Sequence, residues 1–206
     1  LLIPPFIFFF QKLYPFNQVC NKNSNVAAAA GGFILCKATA FKTDNLYNKI
    51  KNKLIDDCNI ARLLKQKGKI WLGITNKIES KRSYNHLKTI WKMVARTAFE
   101  QLKKSYLILI ISLTGLFLTY LSPVIIILLC FLKLDYNNLI MIIITLNFFS
   151  ISIMTIIYFP TAKFYSLSRL YYITLPISAL FYFLMTLWSG INNLVFDGNN
   201  WKGRKY

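Results

Sequence analysis

Acidic residues are scarce in this chain. Seven Asp and Glu stand against 25 Lys and Arg, which leaves 206 residues at a formal +18. Histidine is scarcer still, with His86 alone. One histidine builds neither a His-rich metal site nor a Ser-His triad. The four cysteines, Cys20, Cys36, Cys58 and Cys130, show no C-x-x-C spacing, which speaks for reduced thiols and against a zinc site. Glycine numbers eight, and the one Gly-Gly lacks the G-x-G-x-x-G spacing of a dinucleotide loop. The opening LLIPPFIFFF has no charged region before it and no cleavage site, so it is no signal peptide by pattern and reads as a chain that starts in the middle of something.

What is present divides unevenly. Residues 1–105 carry 19 of the Lys and Arg and a net +14, whereas residues 106–206 carry six and a net +4 within long apolar runs. A basic half suits an anionic lipid surface, a phosphate-bearing substrate or nucleic acid. Membrane segments downstream favour the first two, and no nucleic-acid recognition motif is present.

Two of the five acids of the basic half stand side by side, Asp56 and Asp57. Adjacent carboxylates repel, so one of them tends to hold its proton more tightly and can act as a base. Ile60, Leu63 and Leu64 recur at helical spacing behind them, which places the pair at the head of a helix. Negative charge there is favoured by the helix dipole, and such a pair is more often a cap than a catalyst.

Residues 1–10 hold Pro4 and Pro5 and are too few to cross a bilayer as a helix, so a buried strand after a proline turn is expected. Phe33 to Cys36 and residues 70–78 are further strand candidates, with Gly31 and Gly32 allowing a close backbone approach or a plain turn. Residues 43–53 read as a Lys-rich link and 79–83 as a turn. Leu87, Ile90, Trp91, Val94, Ala98 and Leu102 mark a basic amphipathic helix over 84–104, placed to lie on a bilayer surface or to pack on its own domain.

Three runs are long enough for membrane helices, at 106–132, 139–159 and 171–191. If the first crosses once there are three spans, with Lys133, Lys202, Arg204 and Lys205 facing Lys163 and Arg169 across the bilayer. If Ser122-Pro123 turns it into a hairpin there are four, and the excess of positive charge moves to the inner side. The positive-inside rule favours the hairpin. Ionisable residues, the usual mark of a transport path, are missing from all three runs.

Several stretches in order resemble family 2 glycosyltransferases, most closely the hopene-associated glycosyltransferases of bacterial membranes. They are FFFQKLYPF (8–16), AAAAGGFIL (27–35), LIDDCNIAR (54–62), IWLGIT (70–75), IWKMVARTAFEQL (90–102), LTYLSP (118–123), KFYSLSRL (163–170) and WKGRKY (201–206). The resemblance implies an α/β fold, part of a GT-A-type domain over 1–83. An interfacial helix over 84–105 and a transmembrane region of three to four segments over 106–206 would follow. It implies sugar transfer from a nucleotide-sugar to a lipid acceptor, association with hopanoids, and a cell-membrane protein whose catalytic part is cytosolic. Asp57 takes the place of the family's general base, with Asp56 beside it; the base would take a proton from an acceptor hydroxyl as it attacks the anomeric carbon, inverting the configuration. Gly31 and Gly32 match a segment flanking the acceptor pocket. Arg96 and Gln101 lie where many relatives carry a Gln/Arg-x-x-Arg-Trp motif, absent here in strict form, and a guanidinium there would bind diphosphate.

The family's first half, with its nucleotide-binding strands and the Asp-x-Asp that holds Mg²⁺ or Mn²⁺, is not in the chain. No cofactor is therefore expected on this chain, a separate N-terminal half chain is an expected partner beside the lipid bilayer, and no transfer is expected from the chain alone. The alternative is a non-catalytic membrane interaction protein that keeps the family shape.

Overall fold

The computed structural model describes residues 2–42, 46–51, 53–78, 80, 84, 86–132, 137–195, 200–201 and 204–205. They form two compact units by contact, Leu1–Phe8 with Ile90–Ile191, and Phe9–Thr89 with Asn192–Tyr206.

Both units are built from helices. The expected α/β fold is not found, and no GT-A-type sheet is present among the described residues. Their strand pairing is one two-residue ladder, β1 (Asn200–Trp201) antiparallel to β2 (Arg204–Lys205). The physical reason lies in the strand candidates themselves. Phe33, Leu35 and Trp71 run in non-helical backbone with no ladder beside them and are exposed. A short apolar run becomes a strand only when a partner takes up its N–H and C=O groups, and none does so among the described residues. The turn expected over 79–83 falls, apart from Ser80, outside the described residues.

The opening run is a second correction: it is α1 (Ile3–Leu13), not a strand. Pro4 and Pro5 sit in the first turn, where the missing N–H would have had no intrahelical acceptor. The ladder starts at once, with Phe6 N–H donating to the Leu2 carbonyl at 3.0 Å. α1 is divided between the two units after Phe8.

In the second unit, α2 (Phe16–Cys20), α3 (Ala38–Lys42), α4 (Leu46–Ile50) and α5 (Asp56–Lys65) follow. Its core is Val19, Ala28, Ile55 and Cys58, covered by Phe10, Tyr14, Val26, Ile70 and Leu72. The Lys65 ammonium donates to the carbonyls of Gln18 and Val19, both at 2.9 Å, and to that of Val26. One side chain thus ties the end of α5 to the end of α2 and to the start of the segment after it.

In the first unit, α6 (Leu87–Gln101, of which residues from Ile90 belong here) buries Ile90, Val94, Ala95 and Phe99 and keeps Lys92 exposed. Lys103 and Lys104, at φ 56° and 53°, turn the chain sharply into α7 (Tyr106–Leu116). Three helical stretches are long and apolar enough to cross a membrane: Tyr106–Phe131, α9 (Asn138–Phe164) and α10 (Leu175–Val195).

The first stretch settles the hairpin question against the sequence expectation. It passes through Ser122-Pro123 without reversing, as α7, a π-helical turn (Phe117–Leu121) and α8 (Ser122–Phe131). Proline would clash with the preceding turn of a regular helix, and the wider turn relieves this. Ser122 N–H reaches back to the Phe117 carbonyl, and its Oγ donates to the Leu118 carbonyl at 2.9 Å. α8 then packs against α9 through Cys130, Ile140 and Ile144. The polar side chains of α9 bond to their own helix. Thr145, Asn147, Ser150, Ser152 and Thr155 each donate to the carbonyl four residues back, at 2.8–3.0 Å. In hydrocarbon that removes the cost of an unpaired hydroxyl or amide.

Candidate functional site

The acidic pair opens α5, as the periodicity behind it required. Asp56 and Asp57 are its first two residues. The first N–H groups of a helix have no partner within it, and these carboxylates supply some. Asp57 N–H donates to Asp56 Oδ1 at 3.0 Å, and Cys58 N–H to Asp57 Oδ1 at 2.7 Å.

Asp57 does more than cap. Its other oxygen, Oδ2, accepts the N–H of Gly31 at 2.8 Å. The segment from Val26 to Gly31 runs antiparallel along α5, held by Lys65 at Val26, by the Cys58 thiol on the Ala29 carbonyl at 3.7 Å, and by Asp57 at Gly31. Phe33 N–H returns to the Ala30 carbonyl at 3.2 Å, so Gly31 and Gly32 are the middle of a turn. The two glycines differ. A Cβ on Gly31 would stand 3.1 Å from Asp57 Oδ2, whereas one on Gly32 would meet nothing within 4 Å. Gly31 is there for close approach to the carboxylate, and Gly32 marks the open side of the turn.

Asp56 is exposed and Asp57 half-buried. Burial pushes the Asp57 carboxyl up from the ordinary carboxylate range; the N–H groups of Cys58 and Gly31 pull it back, and the charge of Asp56 adds to the rise. The direction is the one adjacent carboxylates suggest, but burial is the larger cause.

Tyr14 joins this group and was not singled out by sequence. Burial, with the Cys58 and Asp57 charges, pushes its phenol up to about 12, while Arg62 works the other way. Its place within FFFQKLYPF carries no local mark of such a role. Arg96 and Gln101 belong to α6 and the other unit, both partly buried. The structure therefore brings together Asp57, Gly31, Tyr14, Cys58 and Arg62, with Asp56 and Gly32 adjacent in chain. No group of three or more His, Cys, Asp or Glu among the described residues is arranged to hold a metal ion.

The membrane-type unit has its own cavity. It is a cleft of about 260 Å³ between α1, the π-helical turn and α9, lined by Phe8, Leu118, Tyr120, Pro123, Ser150 and Met154 among others. Its walls are mostly apolar, which suits hydrocarbon rather than a charged ligand.

No protein-family model matches the chain, and neither a curated protein nor a solved structure matches it.

Proposed function

We propose that the chain is the acceptor-side, membrane-bound part of an inverting glycosyltransferase that moves a sugar from a nucleotide-sugar to a lipid, hopanoid-related by its resemblance. Asp57 is the general base. The observation that supports this best is the Asp57 carboxylate itself: half-buried, raised in proton affinity, oriented by the Gly31 N–H and set at a positive helix end. A base at such a position takes a hydroxyl proton as the oxygen attacks, and this step contributes on the order of 10²–10⁴ in rate. The apolar cleft offers hydrocarbon a place beside the spans, and Arg96 supplies a guanidinium for phosphate. Nucleotide and Mg²⁺ or Mn²⁺ belong to a separate N-terminal half. The protein sits in the cell membrane with Asp57 on the cytosolic side.

The test starts from the DNA immediately upstream, read for an open frame encoding strands and an Asp-x-Asp. The rejoined enzyme is expected to glycosylate lipid, the present chain alone to transfer nothing, and Asp57→Asn to lower the rejoined activity by at least about 100-fold. A missing frame, or an inert rejoined enzyme, sinks the transferase reading; an active Asp57→Asn sinks the assignment of the base.

A second reading rests on one specific observation. Both Asp57 oxygens already accept backbone N–H groups, as in a clasp that shapes the chain. On this reading the protein is a non-catalytic membrane interaction protein, and Asp57→Asn alters stability alone.

A further inference from the structure

The membrane-type unit has a defined near and far side. The stretch Tyr106–Phe131 and α9 are antiparallel: Cys130 packs on Ile140 and Ile144, and residues 118–123 face 150–157 across the cleft. Tyr106 and Phe164 therefore lie at one side of the hairpin, and Phe131 and Asn138 at the other. α10 starts at Leu175, and on the way to it Tyr172 packs edge-on against Phe159, close to the near end of α9.

A helix rises 1.5 Å per residue. If α10 crossed back, Gly190 would stand roughly 22 Å from the level of Leu175, toward the far side. Its contacts place it elsewhere. A Cβ on Gly190 would collide with Leu109 Cδ2, and Leu109 is three residues into the first span. The neighbouring Ser189 Oγ accepts the N–H of Phe99 at 3.0 Å, and Phe99 lies in α6, before that span begins. Eight residues before Gly190, Tyr182 donates to the Leu2 carbonyl at 2.7 Å and stands beside Phe6. Two residues along α1, Phe8 packs edge-on against Tyr158, six residues from the end of α9. Ser189 and Gly190 thus meet the end of α6 and the start of α7, on the near side, while Tyr182 packs on α1.

We infer that α10 is no third crossing but a helix laid across the near side of the hairpin. Its buried face is Leu175, Ser178, Ala179, Tyr182, Met185 and Ser189. Its opposite stripe, Ile177, Leu180, Leu184, Trp188, Ile191 and Val195, is exposed at steps of three and four. The occupant of that stripe is the acyl region of the near leaflet, the apolar phase that already surrounds the hairpin, with Trp188 suited to its boundary.

The inference needs the hairpin to lie in a bilayer and is independent of the transferase reading.

The test uses the full chain with a C-terminal epitope tag in sealed inside-out vesicles. Protease is expected to remove the tag together with epitopes in residues 53–78. A protected tag beside a digested first half overturns the inference. A second measurement does not depend on vesicle sealing. With the native cysteines replaced, the Leu109→Cys/Gly190→Cys pair is expected to cross-link within one chain through a short bismaleimide. Cross-linking of Gly190→Cys to Ile127→Cys instead, near the far side, overturns it.

Discussion

The two units of this protein solve the same problem with different means. The membrane-type unit is held by apolar packing along long helices whose polar groups bond internally. The other unit has short helices and non-helical segments, and depends on a few polar fasteners: Lys65 on three carbonyls, Asp57 on Gly31, Cys58 on Ala29. A long apolar helix tolerates the loss of any one contact, whereas a clasped loop does not. The difference teaches where single substitutions should matter.

The largest effect is expected from Lys65→Met. It leaves three backbone carbonyls without their charged donor, at a cost of about 3 kcal/mol after local rearrangement. The second unit should become protease-sensitive while the Tyr106–Phe131 and α9 hairpin keeps its helical circular dichroism. Equal losses in both units would erase the contrast.

Next comes Gly190→Leu, the corresponding insult to the membrane-type unit. Leu109 must yield space, and overpacking of this kind costs about 1–3 kcal/mol. Thermal unfolding in detergent should report it, with the Lys65 region still protected from protease.

Asp57 sharpens the comparison further. Asp57→Ala removes the acceptor of two N–H groups and should cost about 1–3 kcal/mol, while Asp57→Asn keeps one acceptor and should cost less than about 1 kcal/mol. The pH dependence follows from the raised proton affinity. A carboxyl that binds its proton more tightly when folded contributes most below its unfolded pKa. That contribution is lost as pH rises through the folded value. Denaturant midpoints of the wild type should fall relative to Asp57→Asn across that window; a rise would reverse the assignment. The smallest effect is expected at Lys103, whose φ of 56° favours glycine. Lys103→Gly should raise stability by about 0.5–1 kcal/mol, read as a small upward shift of the melting midpoint.

The sequence told much more about one unit than about the other. Apolar run length alone located the helices of the hairpin, because a bilayer leaves no other way to satisfy the backbone. Asp56 and Asp57 were placed at a helix head because Ile60, Leu63 and Leu64 keep one face apolar. The strands failed for the converse reason. Phe33, Leu35 and Trp71 stand in short apolar runs of strand length, but pairing depends on a second chain segment that local pattern does not contain. Pro4 and Pro5 break a helix interior, but their position within the first turn makes them compatible with α1. At the site, the acid and its glycine were visible as residue types, while the 2.8 Å contact that joins them spans 26 residues. Tyr14 and Lys65 carry no local signature at all, since what they do depends on what folds over them.

The π-helical turn at Phe117–Leu121 has a consequence for heredity as well as for shape. Each residue of a helix advances the azimuth by about 100°. A turn that takes up one surplus residue therefore sets the phase of everything after it. Deleting a single codon there would regularise the helix and swing Ile127 and Cys130 by about 100°, away from Ile140 and Ile144. Composition, length and hydropathy would be almost unaltered, yet the two long helices would no longer mesh. The span is keyed by a count, and reading-frame-preserving indels, rather than substitutions, are the changes it is least able to absorb.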